Sequence, residues 1–142
     1  MSSQTCSSSE SPIPVACAVI EDGMGRILIA QRSKSMSHPG KWEFPGGKVE
    51  PGEEATAALI REIDEELGCI VIVVSPLTPT SHDYGVGSIR LMPYRCRILS
   101  GTPAAREHSQ LAWILASDLA GFEWATADLP IVAEITENAA FM

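Results

Sequence analysis

Residues 46–69 read GGKVEPGEEATAALIREIDEELGC, and this stretch carries the most information about the structure of the chain. A glycine pair and a proline-glycine turn precede a segment whose apolar residues recur at the spacing of one helix face. Gly68 follows the last of them, where a glycine commonly ends a helix. We therefore predict a glycine-rich turn that runs into an amphipathic helix, with Glu53 and Glu54 in its first turn.

This helix carries more carboxylates than an amphipathic helix needs. Glu62, Glu65 and Glu66 are spaced i, i+3, i+4 on neighbouring ridges, with Glu62 and Glu66 inside the apolar stripe or on its edge and Glu65 just beside it. A half-buried cluster of like charges costs free energy unless a counter-charge neutralises it, and ligands that are all oxygen favour Mg²⁺, Mn²⁺ or Ca²⁺ over zinc. A solvated acidic face, with Arg61 paired to Glu65, explains the cluster equally well. The predicted apolar stripe comprises Ala55, Ala58, Leu59, Ile63 and Leu67.

The fixed positions of this stretch resemble the Nudix box. That pattern is a glycine, five residues, a glutamate, seven residues, and then Arg-Glu-aliphatic-any-Glu-Glu-any-Gly-aliphatic. Cys69 at the last, aliphatic position is a mild departure. The sequences AQR at 30–32 and WEFPGGK at 42–48 extend the resemblance to the MutT group of Nudix hydrolases. The matching box positions are Gly47, Glu53, Arg61, Glu62, Ile63, Glu65, Glu66 and Gly68.

The resemblance implies a set of metal ligands and catalytic residues. Mg²⁺, with Mn²⁺ as a possible substitute, would be held by the box carboxylates and the carbonyl of Gly46. Glu107, in the loop before the strand that contains Trp113, would reach the metal or the attacking water. Glu62 and Glu107 both remain candidates for the general base. The implied catalytic residues are Glu53, Arg61, Glu62, Glu65, Glu66 and Glu107, and the implied metal ligands are Gly46, Glu62, Glu65, Glu66 and Glu107. For Glu53 and Arg61, a structural ion pair explains at least half of their role.

Other residues are expected to bind the substrate. By the same resemblance, Arg32 would contact the phosphates and Lys48 would offset their charge, although both could equally be solvated side chains. Phe44 or Trp124 would stack on a base, or would simply be core residues. Asp128 accepts hydrogen bonds, so it could read the N4 amino group of cytosine or the N1–H and N2 edge of guanine. The alternative role for Asp128 is the N-cap of the last helix.

The MutT group implies a reaction. Water attacks the β-phosphorus of a nucleoside triphosphate, and the products are the nucleoside monophosphate and pyrophosphate. The base would be 8-oxoguanine or cytosine. Three alternatives stay open: hydrolysis of ADP-ribose or of a dinucleoside polyphosphate, for which Tyr84 is a weak sign; a non-catalytic nucleotide sensor on the same fold; and an acidic domain with an ion-paired helix.

Composition bounds the class of protein. The chain has 142 residues and a net charge of −8, which fits one domain and argues against a surface that binds nucleic acid. We predict a disordered Ser-rich tail over residues 1–13 and a single domain over 14–142. No apolar run approaches the roughly 20 residues of a membrane span. Four scattered cysteines indicate free thiols in a reducing compartment, and no secretory signal is evident. We expect a cytoplasmic monomer or homodimer.

The remaining pattern predicts more strands than helices. Strands are expected at 15–20, 26–31, 42–44, 69–74, 88–99 and 110–115, with a loop or distorted hairpin over 75–87. The apolar parity of 88–99 changes near Pro93, which suggests a bulge. Ser117 would cap a short helix, and Thr126 or Asp128 would cap the last one. We therefore predict an α+β fold with a mixed sheet and a helix against each face, which agrees with the α/β/α sandwich that the Nudix resemblance implies.

Overall fold

The computed structural model describes residues 12–140, with side chains to residue 138. Its strands are β1 Ile13–Ile20, β2 Arg26–Gln31, β3 Trp42–Glu43, β4 Gly46–Lys48, β5 Ile70–Pro76, β6 Thr80–Asp83, β7 Ser88–Ser100 and β8 Gln110–Leu115. Its α-helices are α1 Ala55–Leu67 and α2 Leu129–Ala140, and 3-10 helices span Ala116–Gly121 and Thr126–Asp128. β1 begins one residue before the predicted domain boundary, and most of the predicted Ser-rich tail lies outside the described residues.

The strands form two sheets. The larger has the order β4-β1-β7-β5, and β6 also pairs with β7. β1 and β7 run parallel while the other pairs of this sheet are antiparallel, so the sheet is mixed, as predicted. The smaller sheet has the order β3-β2-β8 and is antiparallel.

One helix covers each face of the strand layer. Alternate residues of β1 are buried on opposite faces, because Ala18 belongs to the cluster under α1 and Val19 to the cluster under α2. The predicted α/β/α sandwich is therefore confirmed. From α1 the buried residues are Ala58, Leu59, Ile63 and Leu67, and from α2 they are Ile131, Val132 and Ile135.

The bulge predicted near Pro93 is wrong. The pairing of β1 with β7 continues without interruption from Ile13 opposite Ile89 to Ile20 opposite Cys96. The apolar parity changes because the first part of β7 faces the α2 cluster and the second part faces the α1 cluster. The register shifts lie instead in the pairing of β5 with β7. Pro93 is tolerated where the neighbouring strand changes from β5 to β6.

Several local predictions also need correction. α1 begins at Ala55 with Glu54 as its N-cap residue, so Glu53 and Glu54 precede the helix and its first turn holds no acid. The short helix after β8 is a 3-10 helix, and the side chain of Ser117 does not cap it. The glycine pair belongs to β4 rather than to a turn. β6 pairs antiparallel with the start of β7, so of the two alternatives for 75–87 the hairpin is confirmed. These strands are short and polar, so they depend on their partners rather than on a local pattern.

The helices and the cysteines of the described residues bear on the predicted class of protein. Within residues 12–140, no helix is long and apolar enough to cross a membrane. Cys17, Cys69 and Cys96 are buried free thiols, as predicted, and Cys6 lies outside the described residues.

Candidate active site

The glycine pair brings strand β4 against both β1 and helix α1. Gly46 lies opposite Cys17 and Gly47 opposite Ala16 in an antiparallel pairing. A Cβ atom on Gly46 would lie 2.0 Å from the carbonyl oxygen of Ala16, and one on Gly47 would lie 2.3 Å from Cδ of Glu62. Only glycine permits the approach at Gly46, where the neighbour is backbone, whereas a side chain at Gly47 would displace the Glu62 carboxylate. The backbone of the glycine pair is therefore held directly beside a box carboxylate.

Arg61 joins the acids of the box into one network. Its Nε and Nη2 donate to the two carboxylate oxygens of Glu53 at 2.9 and 3.0 Å. Its Nη1 donates to Glu62 at 3.0 Å and to Glu65 at 3.4 Å. Glu53 also accepts from the backbone N–H of Glu50 at 3.0 Å. Hydrogen bonding to Arg61 lowers the pKa of Glu53, so this pair organises the turn before α1.

Glu66 carries the least compensated carboxylate of the cluster. Its Oε1 atom is buried and has no hydrogen-bond partner among the described residues. Burial is the main cause that raises the pKa of Glu66 to about 8, and the charges of Glu43, Glu62 and Glu107 add to it. A hydrogen bond with the backbone of Gly46 has the opposite, smaller effect on this pKa. The loop that carries Glu107 is bonded to the end of α1, where the backbone N–H of Ala104 donates to the carbonyl of Leu67 at 2.9 Å, and the role of Glu107 at the metal or the attacking water stays a prediction.

Glu62 and Glu65 differ in their exposure. The Glu62 side chain is 17% exposed, and burial raises its pKa although Arg61 opposes that effect. The Glu65 side chain is 57% exposed. The helix therefore presents Glu62 and Glu66 at the edge of its buried stripe and Glu65 beside them, as predicted from the spacing.

The donors of this cluster suit a hard divalent cation. Among the described residues, no group of three acid, histidine or cysteine side chains is already arranged around an ion position. Arg61 currently contacts Glu62 and Glu65, and its bidentate pair with Glu53 would keep it satisfied if they turned toward a cation. The unpartnered oxygen of Glu66 is the observation that favours a cation here. Carboxylate and carbonyl oxygens are ligands that Mg²⁺ accepts.

A cavity of about 800 Å³ leads away from these acids. Glu66, Gly46, Gly47 and Lys48 line one part of it, and Asp128 lines another. The wall contributed by β1 and β7 is apolar and includes Val15 and Leu91. The rim carries Arg32, His38, Tyr84 and Val86. Its size fits a nucleotide, with an acidic region at one part and a partly apolar chamber at another.

Asp128 is a buried acid at the cavity wall. It is 7% exposed, and its Oδ2 accepts a hydrogen bond from the backbone N–H of Phe44 at 2.8 Å. Burial is the main cause that raises its pKa to about 7, and the charge of Glu43 adds to it. The 3-10 helix of Thr126–Asp128 leads into α2 without a side-chain cap, so the predicted N-cap role of Asp128 or Thr126 is wrong.

The two predicted stacking residues separate in the structure. Phe44 lines the cavity, whereas Trp124 does not. Trp124 stacks behind Phe44 with ring centroids 4.9 Å apart, and its indole N–H donates to the carbonyl of Leu119 at 2.8 Å. Both rings are buried. Trp124 is thus a core residue that supports Phe44, and only Phe44 is placed where a base could lie against it.

The phosphate-binding candidates lie at different parts of the cavity. Lys48 is exposed beside the acidic region. Arg32 is at the rim, where its Nη1 donates to Glu43 at 2.5 Å and its Nη2 donates to the hydroxyl of Ser37 at 2.9 Å. The second carboxylate oxygen of Glu43 lies 2.7 Å from Nε2 of His108. The guanidinium of Arg32 is therefore oriented by Glu43 and by the rim loop.

The sequence interpretation assigned no role to Glu43 or His108. Glu43 stands in the WEFPGGK segment, but nothing in that segment indicates that it couples to Glu66 and Asp128. His108 follows Glu107, and its side chain is 0% exposed. A histidine in a polar loop gives no sign of burial, because the contact that buries it joins residues 65 positions apart.

Comparisons with known proteins agree with this geometry. A family model described as the NUDIX domain matches residues 11–135. The CTP pyrophosphohydrolase of Escherichia coli is 37% identical over 120 residues, which cover 84% of this chain and 88% of the relative. The 8-oxo-dGTP diphosphatase of Haemophilus influenzae is 32% identical over 102 residues, covering 72% of this chain and 75% of the relative.

A solved structure has the same fold. The solution NMR structure of the MutT protein from methicillin-resistant Staphylococcus aureus 252, a Nudix hydrolase, is 42% identical with a TM-score of 0.74. The match covers 91% of this chain and 98% of that one. The family model covers most of the chain and the solved structure shares its fold, so this chain belongs to the Nudix hydrolase family.

Proposed function

We propose that this protein is a Mg²⁺-dependent pyrophosphohydrolase that converts a nucleoside triphosphate, with cytosine or 8-oxoguanine as its base, to the monophosphate and pyrophosphate. One observation carries the proposal: a single cavity joins the box acid Glu66 to the buried acid Asp128. A triphosphate at the acidic region would place its base toward Asp128 and Phe44. Relatives named for CTP and for 8-oxo-dGTP support this substrate class.

The box residues would hold the cation and the phosphates. Glu62, Glu65, Glu66, Glu107 and the carbonyl of Gly46 would be the ligands of Mg²⁺. When bound, that ion neutralises charge on the phosphate oxygens and lowers the pKa of a coordinated water. Lys48 would offset the remaining negative charge of the phosphates. Arg32, which Glu43 holds at the rim, would contact the phosphate chain.

We assign proton acceptance from the attacking water to Glu107 rather than to Glu62. One oxygen of Glu62 already accepts a hydrogen bond from Arg61, which ties that carboxylate into the network of the box. Glu107 is exposed in its loop and couples electrostatically to both Glu62 and Glu66. Water that attacks the β-phosphorus would give its proton to this carboxylate, and the bond from the β-phosphorus to the α-β bridging oxygen would break.

Asp128 would read the base with the oxygen that Phe44 leaves free. Because the Phe44 N–H occupies Oδ2, Oδ1 is the atom available to a substrate. As a carboxylate it accepts one hydrogen bond, from the N4 amino group of cytosine or from the N1–H and N2 edge of a guanine. The two base classes therefore remain to be separated by measurement.

The test is turnover with Mg²⁺ of dCTP, 5-methyl-dCTP, 8-oxo-dGTP, dGTP, ADP-ribose and diadenosine tetraphosphate. Pyrophosphate release is measured for the triphosphates, and the nucleotide products of every substrate are separated by chromatography. We expect the largest kcat/KM for a cytosine nucleotide or for 8-oxo-dGTP. Glu66→Gln should lower kcat by a factor on the order of 100 or more, because it removes a cation ligand. The matched control is Asp64→Asn, since Asp64 is an exposed acid on the same helix.

Three results would contradict the proposal in different ways. Turnover of ADP-ribose or the dinucleotide alone would exclude the triphosphate reaction and leave the cation site intact. Binding of nucleotide and Mg²⁺ without any turnover would indicate a nucleotide sensor. Equal losses in Glu66→Gln and Asp64→Asn would remove the special role of Glu66.

A further inference from the structure

His108 is a fully buried histidine that neither the box nor the nucleotide-binding residues explain. Its side chain is 0% exposed, and its Nε2 lies 2.7 Å from Oε2 of Glu43. Its Nδ1 is buried with no hydrogen-bond partner among the described residues. Nε2 donates its hydrogen to an ionised carboxylate in either charge state of the ring, and Nδ1 is left without a partner in the described part of the chain. An unpartnered buried polar atom costs stability, so this arrangement calls for an explanation other than stability.

Glu43 connects His108 to the rim of the cavity. Its Oε1 accepts from Nη1 of Arg32 at 2.5 Å, while its Oε2 faces His108. Arg32 donates in turn to the backbone carbonyl and the hydroxyl of Ser37. A continuous chain of side chains therefore links the rim loop of residues 33–40 to the loop of residues 101–109.

The loop of residues 101–109 is the one that carries Glu107, and its other anchors are of a different kind. The backbone N–H of Ala104 donates to the carbonyl of Leu67 at 2.9 Å, and that of Ser109 donates to the carbonyl of Gln31 at 2.9 Å. Arg106 reaches backbone carbonyls at the end of α1 at 3.3 and 3.4 Å from the exposed side. In contrast to these anchors, His108 holds the loop through a buried side chain, and His108 directly follows Glu107 in the sequence.

We propose that His108 is a positioning residue for Glu107, which it holds near the box carboxylates by anchoring the 101–109 loop to Glu43. This inference rests on the proposed function, because it concerns how the proposed base is held. The geometry supports it in two ways. The contact fixes the chain one residue from Glu107, and Glu43 is itself held from the opposite side by Arg32. The carboxylate of Glu107 is thereby kept close enough to Glu62 and Glu66 to influence both.

The first test compares two substitutions at the same position. His108→Phe fills a similar volume but donates no hydrogen bond, so it should lower kcat by about 10- to 100-fold, as a displacement of about 1 Å does at catalytic groups. KM should change by less than about threefold, because Glu43 keeps its bond to Arg32. His108→Gln can place its amide N–H near the position of Nε2, and it should recover most of kcat. The control, Arg95→Gln, breaks a half-buried ion pair with Glu21 elsewhere and should leave kcat unchanged.

The second test separates positioning from a general loss of structure. If His108 acts through Glu107, His108→Phe should have little further effect on kcat in a Glu107→Gln background. If its effect were unrelated to Glu107, the two losses would multiply, and the proposal would be overturned. Unfolding in urea, measured for each variant, shows whether loss of the fold accounts for a low kcat.

The third test does not depend on activity. Amide hydrogen exchange of peptides covering residues 101–109, measured by mass spectrometry, should be faster in His108→Phe than in the wild type, and His108→Gln should reverse the change. Unchanged exchange would overturn the inference even if the enzyme is active. If the wild type hydrolyses no nucleotide but the loop still loosens in His108→Phe, the proposed function fails while the anchoring role of His108 stands.

Discussion

The carboxyl of Asp128 shows how a single residue can combine a structural contact with a chemical role. It is buried and accepts a hydrogen bond from Phe44, 84 positions earlier in the chain, yet burial raises its pKa to about 7. A raised folded-state pKa means that the folded protein keeps a proton which the unfolded chain loses near pH 4. Between pH 4 and 7 the free energy of unfolding therefore falls as pH rises, and above pH 7 the protein carries the full cost of this buried charge.

Asp128→Asn isolates that cost. The amide oxygen can still accept from the Phe44 N–H, but the residue no longer ionises. We expect the variant and the wild type to have similar stability at pH 5, and the variant to be more stable at pH 8 by about 1–4 kcal/mol. Urea unfolding at both pH values measures this difference, and other titrating groups cancel because both proteins contain them. A stability difference that is the same at pH 5 and pH 8 would contradict the assignment.

Residue-scale predictions from sequence were accurate where the determinants are local. The half-buried placement of Glu62 and Glu66 and the exposed placement of Glu65 follow from helix geometry over a few positions. Other features depend on distant contacts. Asp128 accepts a hydrogen bond from the N–H of Phe44, which is 84 positions away, and His108 is buried against Glu43, which is 65 positions away. No window of local sequence contains both partners of such a pair.

The same distinction holds at the scale of elements. α1 was predicted because thirteen residues repeat one apolar period and a glycine ends it. β4 and β6 have three and four residues and no apolar alternation, so they are strands only because β1 and β7 offer them backbone partners. The first helical turn was misplaced because Glu54 precedes the helix as its N-cap residue, which sequence places only to within one or two residues.

The end of α1 provides an element-scale prediction, because one glycine serves both the helix and the 101–109 loop. Gly68 has φ +74°, and a Cβ atom there would lie 2.5 Å from Nη2 of Arg106, whose guanidinium reaches the last carbonyls of the helix. Gly68→Ala should therefore destabilise the protein by about 1–2 kcal/mol from the backbone conformation, plus the cost of displacing Arg106. The measurement is the free energy of unfolding in urea.

Two comparisons separate these contributions. Gly25 has φ +78° with nothing within 4 Å of its Cβ position, so Gly25→Ala should show the backbone cost alone. In an Arg106→Ala background, Gly68→Ala should cost less than in the wild type, by about 0.5 kcal/mol or more. Additive effects of the two substitutions would show that Arg106 does not occupy this position in solution.

At the scale of the whole molecule, the chain concentrates acids that it does not neutralise internally. Its net charge is −8, and Glu66 and Asp128 both face the cavity with raised pKa values. The family fold predicted from sequence supplies this arrangement, because β4 and α1 bring the box together. The strength of the electrostatic coupling could not be predicted, since it depends on Glu43 and on the 101–109 loop reaching the same place.

This surplus of buried acid predicts that cation binding and proton release are coupled. The pKa of Glu66 is about 8, so at pH 7 this carboxyl is mostly protonated without a cation, whereas a cation ligand must be ionised. The apparent affinity for Mg²⁺ should therefore rise by up to about tenfold per pH unit between pH 6 and 8 and level off above pH 8. Titration calorimetry in two buffers with different ionisation enthalpies should detect close to one proton released per ion at pH 7.

Removing Mg²⁺ with a chelator should lower Tm more at pH 8 than at pH 6, because the apo protein then bears the ionised Glu66 uncompensated. Glu66→Gln should abolish both the proton release and the pH dependence, whereas Asp64→Asn should retain them. Mg²⁺ binding with the same affinity at pH 6 and pH 8 would show that Glu66 does not exchange its proton for the ion.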